Sequence, residues 1–211
     1  LGATLLVTVM YVAFTLGYAE LACALPRAGG AFTYAKRAFG PRVGFVAGVA
    51  QCIEFVFAPP AMAAAIGAYL HLLAPRVPAL AFAFAAYAAF TALNVYGVKQ
   101  SAAFELAVAG VAVFELLVFA GVTAPRFSWA QFTADGLPRG LPGVVAAVPY
   151  AIWFYLGIEG LANVAEETAH PERDLAPAFR RSLATLVALA LLTFFSSVGV
   201  AGWRAAVYPA G

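Results

Sequence analysis

Charge is what this sequence has least of. Only 10% of its 211 residues are charged, twelve Lys and Arg against ten Asp and Glu, for a formal net charge of +2. A nucleic-acid surface needs a basic stripe or patch, and no such excess exists here. There are two cysteines, Cys23 and Cys52, with neither CxxC nor zinc-like spacing, so a metal centre is not expected and both read as buried packing thiols. The two aspartates, Asp135 and Asp174, fall outside every apolar run, and GxSxG and HExxH are absent. Serine, zinc and paired-aspartate hydrolysis therefore lack their parts, and neither an enzyme nor a cofactor is expected. No P-loop is present, which argues against direct ATP coupling.

What the chain does have is apolar length. Hydrophobic residues make up 64% of it, and its mean hydropathy is +0.90, values of a polytopic membrane protein and not of a soluble domain. About 20 apolar residues cross a bilayer as helix. Charge-poor runs at about 1–24, 43–73, 79–97, 101–124, 143–165 and 182–202 predict six spans of one all-α membrane domain. An amphipathic stretch at 25–42 is expected on the membrane surface, with Arg27, Lys36, Arg37 and Arg42 at the headgroups, and a polar loop at 125–142 on the other side. Alternate loops split the twelve basic residues eight to four, so the positive-inside rule puts 25–42 in the cytoplasm and Leu1 outside. The sequence opens inside an apolar run without Met, as a cut piece of a longer protein would.

Carboxylates inside such spans are costly and mark function by default. Glu54 is twelve residues past Arg42, about 18 Å along a helix and near the bilayer middle. Glu105 and Glu115 are ten residues apart, about 15 Å and within a quarter turn of one face. A proton route through Glu115 and plain hydrogen bonding to neighbours both fit. Glu20, near the end of the first span, reads as interfacial or paired with a residue such as Arg27.

The organising stretch is PYAIWFYLGIEGLANVAEETAHPERD, from Pro149 to Asp174. Gly157 and Gly160 bracket Glu159 inside a membrane-length segment. Glycine lets a helix open at low steric cost, and open backbone survives at membrane depth only where protein or a cavity surrounds it. The competing reading is close helix approach at two small residues three apart. Tyr150 and Trp153 lie beside the proposed break, and the exit from Glu166 to Arg181 is richly charged, with Pro171 and Pro177 read as helix stops around Asp174.

The aromatic run Trp153, Phe154 and Tyr155, then Gly157, Ile158 and Glu159, then Glu166, Glu167, Thr168, Pro171 and Arg173, resembles the sixth membrane helix of the amino acid, polyamine and organocation transporter superfamily. Glu20 to Ala22, Pro26 to Ala31 and Phe39 to Gly40 resemble its second helix and cytoplasmic exit. Within the superfamily the likeness is greatest to bacterial ethanolamine permeases. The resemblance implies a multi-pass protein of the cell inner membrane, covering about the second to seventh helices of a five-plus-five inverted repeat with a discontinuous helix near 153–160. It also implies that Trp153 and Gly157 to Glu159 are site or gate residues. The function expected is secondary active import of ethanolamine or a similar small amine by alternating access. An amino acid permease or exchanger is the alternative, and a non-transporting membrane subunit the remote one.

An ammonium needs carboxylates or aromatic faces, and a hydroxyl needs hydrogen-bonding groups. The expected substrate-binding set is therefore Glu54, Tyr150, Trp153, Gly157, Ile158 and Glu159. Glu115, Glu159 and Arg173 are the expected gate or coupling groups. The partners expected are the amine or amino acid, the bilayer, a coupling proton or sodium ion, and a second copy of the chain.

Overall fold

A computed structural model describes residues 1–134, 136 and 140–207, apart from the side chains of 98–100, 201 and 203–207. Asp135 and Arg139, which enter the charge count above, lie outside the described residues, as do the side chains of Lys99 and Arg204. The described backbone is helical, with no strand. Its helices are α1 (Gly2–Ala24), α2 (Gly30–Phe39), α3 (Pro41–Leu73), α4 (Ala79–Tyr96), α5 (Val98–Thr123), the short α6 (Trp129–Thr133), α7 (Gly140–Ile152) and α8 (Pro171–Val207). Among the described residues five helices are long and apolar enough to cross a membrane, namely α1, α3, α4, α5 and α8. The run expected to span 143–165 is the one that is divided.

By its internal contacts the chain forms two compact units, Leu1–Gly30 with Ala112–Gly211, and Ala31–Val111. The first is built on α1, which packs against α7 and α8. The buried stripe of α1 is Ala3, Thr4, Val7, Tyr11, Thr15, Tyr18, Ala19 and Ala22, recurring every three or four residues. Bulky Leu5, Leu6, Val9, Met10 and Leu16 point outward. Small and hydroxyl-bearing residues inside, aliphatic ones outside, is the order expected where the surroundings are as apolar as the side chains themselves. Opposite this stripe α8 buries Leu175, Phe179 and Leu183 at four-residue spacing, with Tyr18 edge-on to Phe179 at 6.1 Å.

At the other end of α8, the segment after α5 is fastened by aromatics. Ser128 N–H donates to the Gly199 carbonyl at 2.9 Å, Phe132 stacks on Phe195 at 4.8 Å, and Phe127 occupies the space a Cβ on Gly199 would need. Ser196, Thr123 and Phe127 share a cavity of about 330 Å³.

Helix α8 begins at Pro171, not at residue 182, and runs through Pro177. Proline lacks an N–H and its ring clashes with the carbonyl four residues back, but the first helical residue has neither a helical acceptor nor a preceding turn to clash with, so Pro171 starts the helix where a stop was expected. Six residues on, Pro177 leaves only the Arg173 carbonyl without its helical donor.

The second unit is a hairpin of α3 and α4 with α2 folded onto α3. Gly40, at φ 89°, turns the chain, and Pro41 opens α3. Gly44 lies under the Lys36 backbone and Gly48 under the Phe32 ring, while Phe32 N–H donates to Gln51 Oε1 at 3.4 Å. Helix α3 continues through Pro59 and Pro60 to Leu73. His71 Nδ1 bonds the Val77 carbonyl at 2.7 Å and so staples the turn into α4. A Cβ on Gly67 would meet the Ala79 carbonyl and lie 2.9 Å from Ala83 N. That is why the helices approach there.

Candidate functional site

The helical ladder stops at Ile152. Trp153, Phe154 and Tyr155 N–H groups reach back three residues, to the carbonyls of Tyr150, Ala151 and Ile152, instead of four. Gly157 then adopts φ 94°, ψ −8°, the left-handed region that a Cβ disfavours. A 3₁₀ turn, Ile158–Ala162, and another, Ala165–Glu167, carry the chain to α8. A break in this stretch was expected, and Gly157 is its pivot.

The two glycines do different things. A Cβ on either would meet nothing within 4 Å among the described residues, so neither brings two of the described helices together. Gly157 supplies a backbone conformation, and Gly160 has no positive φ. Among the described residues Gly157 N–H has no backbone acceptor; Glu159 folds back and takes it on Oε1 at 3.2 Å. That carboxylate, half-buried, closes the turn from within.

Among the described residues, the carbonyls of Trp153, Phe154, Tyr155 and Leu156 accept no hydrogen bond. Carbonyl oxygens without donors form a partial negative surface, the complement of an ammonium or a small cation.

The predicted residues are distributed as follows. Tyr150, 77% exposed, and Trp153, 59% exposed, stand clear of the core of the first unit on either side of the end of α7. The Ile158 side chain is buried, so what it offers a ligand is backbone. Arg173 pairs with its own neighbour, Asp174, at 2.9 Å, and both side chains are exposed. An adjacent, solvated pair of this kind holds little together. Glu54 is half-buried on α3 in the second unit. Glu115 lies exposed on α5, whose membrane-length window has no residue buried among those described. Glu105 accepts from Ser101 Oγ at 3.1 Å. Cys52, expected to be buried, is exposed on α3, and Cys23 is half-buried with Sγ 3.9 Å from the Pro171 carbonyl.

Two features were not foreseen. The first joins the two stretches that carry the family resemblance: Glu166 Oε1 accepts Ala28 N–H at 3.2 Å across 138 residues of sequence. The second is Tyr155. Its side chain is fully buried, stacked on Tyr11 at 5.1 Å, with its hydroxyl 2.6 Å from Thr8 Oγ1. A signal for it existed, because hydroxyl-bearing Thr4, Thr8, Tyr11, Thr15 and Tyr18 recur at helical spacing along one face of α1.

Five described helices are long and apolar enough to cross a membrane, and the first unit carries an unwound turn between α7 and α8, features of a multi-pass membrane protein of the amino acid, polyamine and organocation superfamily. The chain belongs to the amino acid permease family, whose sequence model matches residues 2–211. It is 28% identical to an uncharacterized transporter of Rhizobium meliloti over 92% of this chain and 44% of the relative. It is likewise 28% identical to a low-affinity putrescine importer of Escherichia coli, over 80% of this chain and 38% of the relative. A gamma-aminobutyric acid permease of Escherichia coli is 25% identical over 88% of this chain and 42% of its own length. The chain spans less than half the length of these curated relatives.

Proposed function

We propose that the parent protein is a secondary active transporter that imports ethanolamine or a similarly small amine by alternating access. The observation that carries this reading is the run of carbonyls from Trp153 to Leu156, which accept no hydrogen bond among the described residues, ending at left-handed Gly157. An ammonium presents hydrogen-bond donors and charge and no acceptor, so it suits such a surface, with Trp153 and Tyr150 offering ring faces. Glu54, the mid-span carboxylate of α3, is the proposed ammonium partner. Glu159 is the proposed inner gate, since a rotation that frees its carboxylate also frees Gly157 N–H. A relative named as a putrescine importer is consistent with an amine substrate.

The second reading is an amino acid permease or exchanger, favoured by relatives named as gamma-aminobutyric acid and branched-chain amino acid permeases. In that case the same carbonyls take the amino group and the carboxylate is bound elsewhere in the full-length protein.

Uptake of labelled ethanolamine into proteoliposomes by the full-length parent, with amino acids as competitors, separates the two. Saturable uptake indifferent to amino acids is the expected result. Amino acid exchange without ethanolamine uptake would overturn the amine reading and keep the family.

A further inference from the structure

We propose that Tyr155 is a positioning residue for substrate recognition: its hydroxyl, acting through Thr8, clamps the unwound segment to α1 and fixes the carbonyls that a bound ammonium meets. The inference rests on the transport reading above.

A segment that has lost its four-residue ladder and keeps only bonds reaching back three residues holds its shape weakly by itself. Trp153 and Phe154 in this one are exposed, whereas Tyr155 is fully buried, so Tyr155 is where the unwound turn is tied down. A buried phenol needs a partner for its hydroxyl. Thr8 Oγ1 is 2.6 Å from it and also 2.7 Å from the Thr4 carbonyl. Thr8 has one hydroxyl proton, and a carbonyl can only accept, so that proton goes to Thr4. Tyr155 must then donate to Thr8. The chain from Tyr155 O–H to Thr8 O–H to the Thr4 carbonyl therefore has one direction and ends on the backbone of an intact helix.

Tyr11, one turn beyond Thr8 on α1, supports the ring of Tyr155, its plane inclined by 25°. At the other end of the turn the back-bond from Gly157 N–H to Glu159 closes the loop. The carbonyls of Tyr155 and Leu156 lie between these two fixed points. Acceptors held in place before a ligand arrives spare it the cost of ordering them.

The test uses the full-length parent with Tyr155→Phe, Thr8→Val, the double variant, and Thr8→Ser as the conservative control. Two quantities are read: KM and Vmax for the substrate the parent takes up, and backbone hydrogen exchange over residues 153–160 without ligand. Loss of one hydrogen bond is expected to raise KM about five-fold with Vmax little changed. Exchange over the segment should quicken, the double variant should be no worse than either single one, and Thr8→Ser should behave as the parent. Exchange unaltered by Tyr155→Phe overturns the clamp. Faster exchange with a parental KM reduces Tyr155 to packing and overturns its positioning role. If the parent takes up neither amine nor amino acid while the exchange difference persists, the transport reading falls and the clamp stands.

Discussion

A single φ angle separates Gly157 from Gly160. Replacing Gly157 by Ala puts a Cβ into the left-handed region at a cost of about 1–2 kcal/mol, which the segment can shed only by changing its backbone. Gly157→Ala should therefore reach the membrane in reduced amount and lose most of its uptake. Gly160→Ala, with open space and an ordinary backbone, should keep both within about two-fold. Size-exclusion profiles of fluorescently tagged variants, read beside uptake, check the pair; equal behaviour would mean that the break does not depend on backbone handedness. The glycine pair was visible in the sequence. What spacing could not tell was which of the two supplies a conformation, because that depends on φ and not on neighbours.

At the scale of elements, close helix approach is concentrated where a glycine faces a neighbour's backbone. Gly67 faces Ala79 and Ala83 of α4, and a backbone cannot rotate aside as a side chain can. Gly67→Ala should cost about 1–3 kcal/mol, seen as a lower midpoint of thermal unfolding in detergent. Gly199→Ala meets the ring of Phe127, which is packed against Trp129, Phe132 and Phe195 and must shift with them, so the loss there should be of similar size. Most elements were legible as apolar runs, and the interrupted one as a run with a glycine-flanked carboxylate. The start of α8 was not. Pro171 and Pro177 have the same composition signal as a stop; Pro171 fits because it is the first helical residue, and Pro177, inside the helix, is accommodated at the loss of the Arg173 carbonyl's donor. The contact between Ala28 and Glu166 was equally hidden, since no periodicity connects residues 138 apart.

For the whole molecule the predictions concern turnover. With Glu54 as the ammonium partner, Glu54→Gln should abolish saturable uptake without loss of expression, and normal uptake would remove Glu54 from the site. If an inward proton gradient accelerates uptake, Glu115→Gln should remove that acceleration and leave exchange of substrate for substrate intact. A gradient response that survives the substitution would place coupling elsewhere. The family and its helical architecture could be read from composition and two motifs, because hydropathy reports spans directly. The identity of the substrate could not, because it depends on where carbonyls and carboxylates meet in space.

Gly157 also has a consequence for chemistry that genetics cannot reach. Glycine has no stereocentre, and a positive φ is the region a mirror-image residue prefers. A semisynthetic protein carrying D-alanine at 157 should fold and transport like the parent, where its L-alanine counterpart fails, although the two differ in no atom, charge or volume.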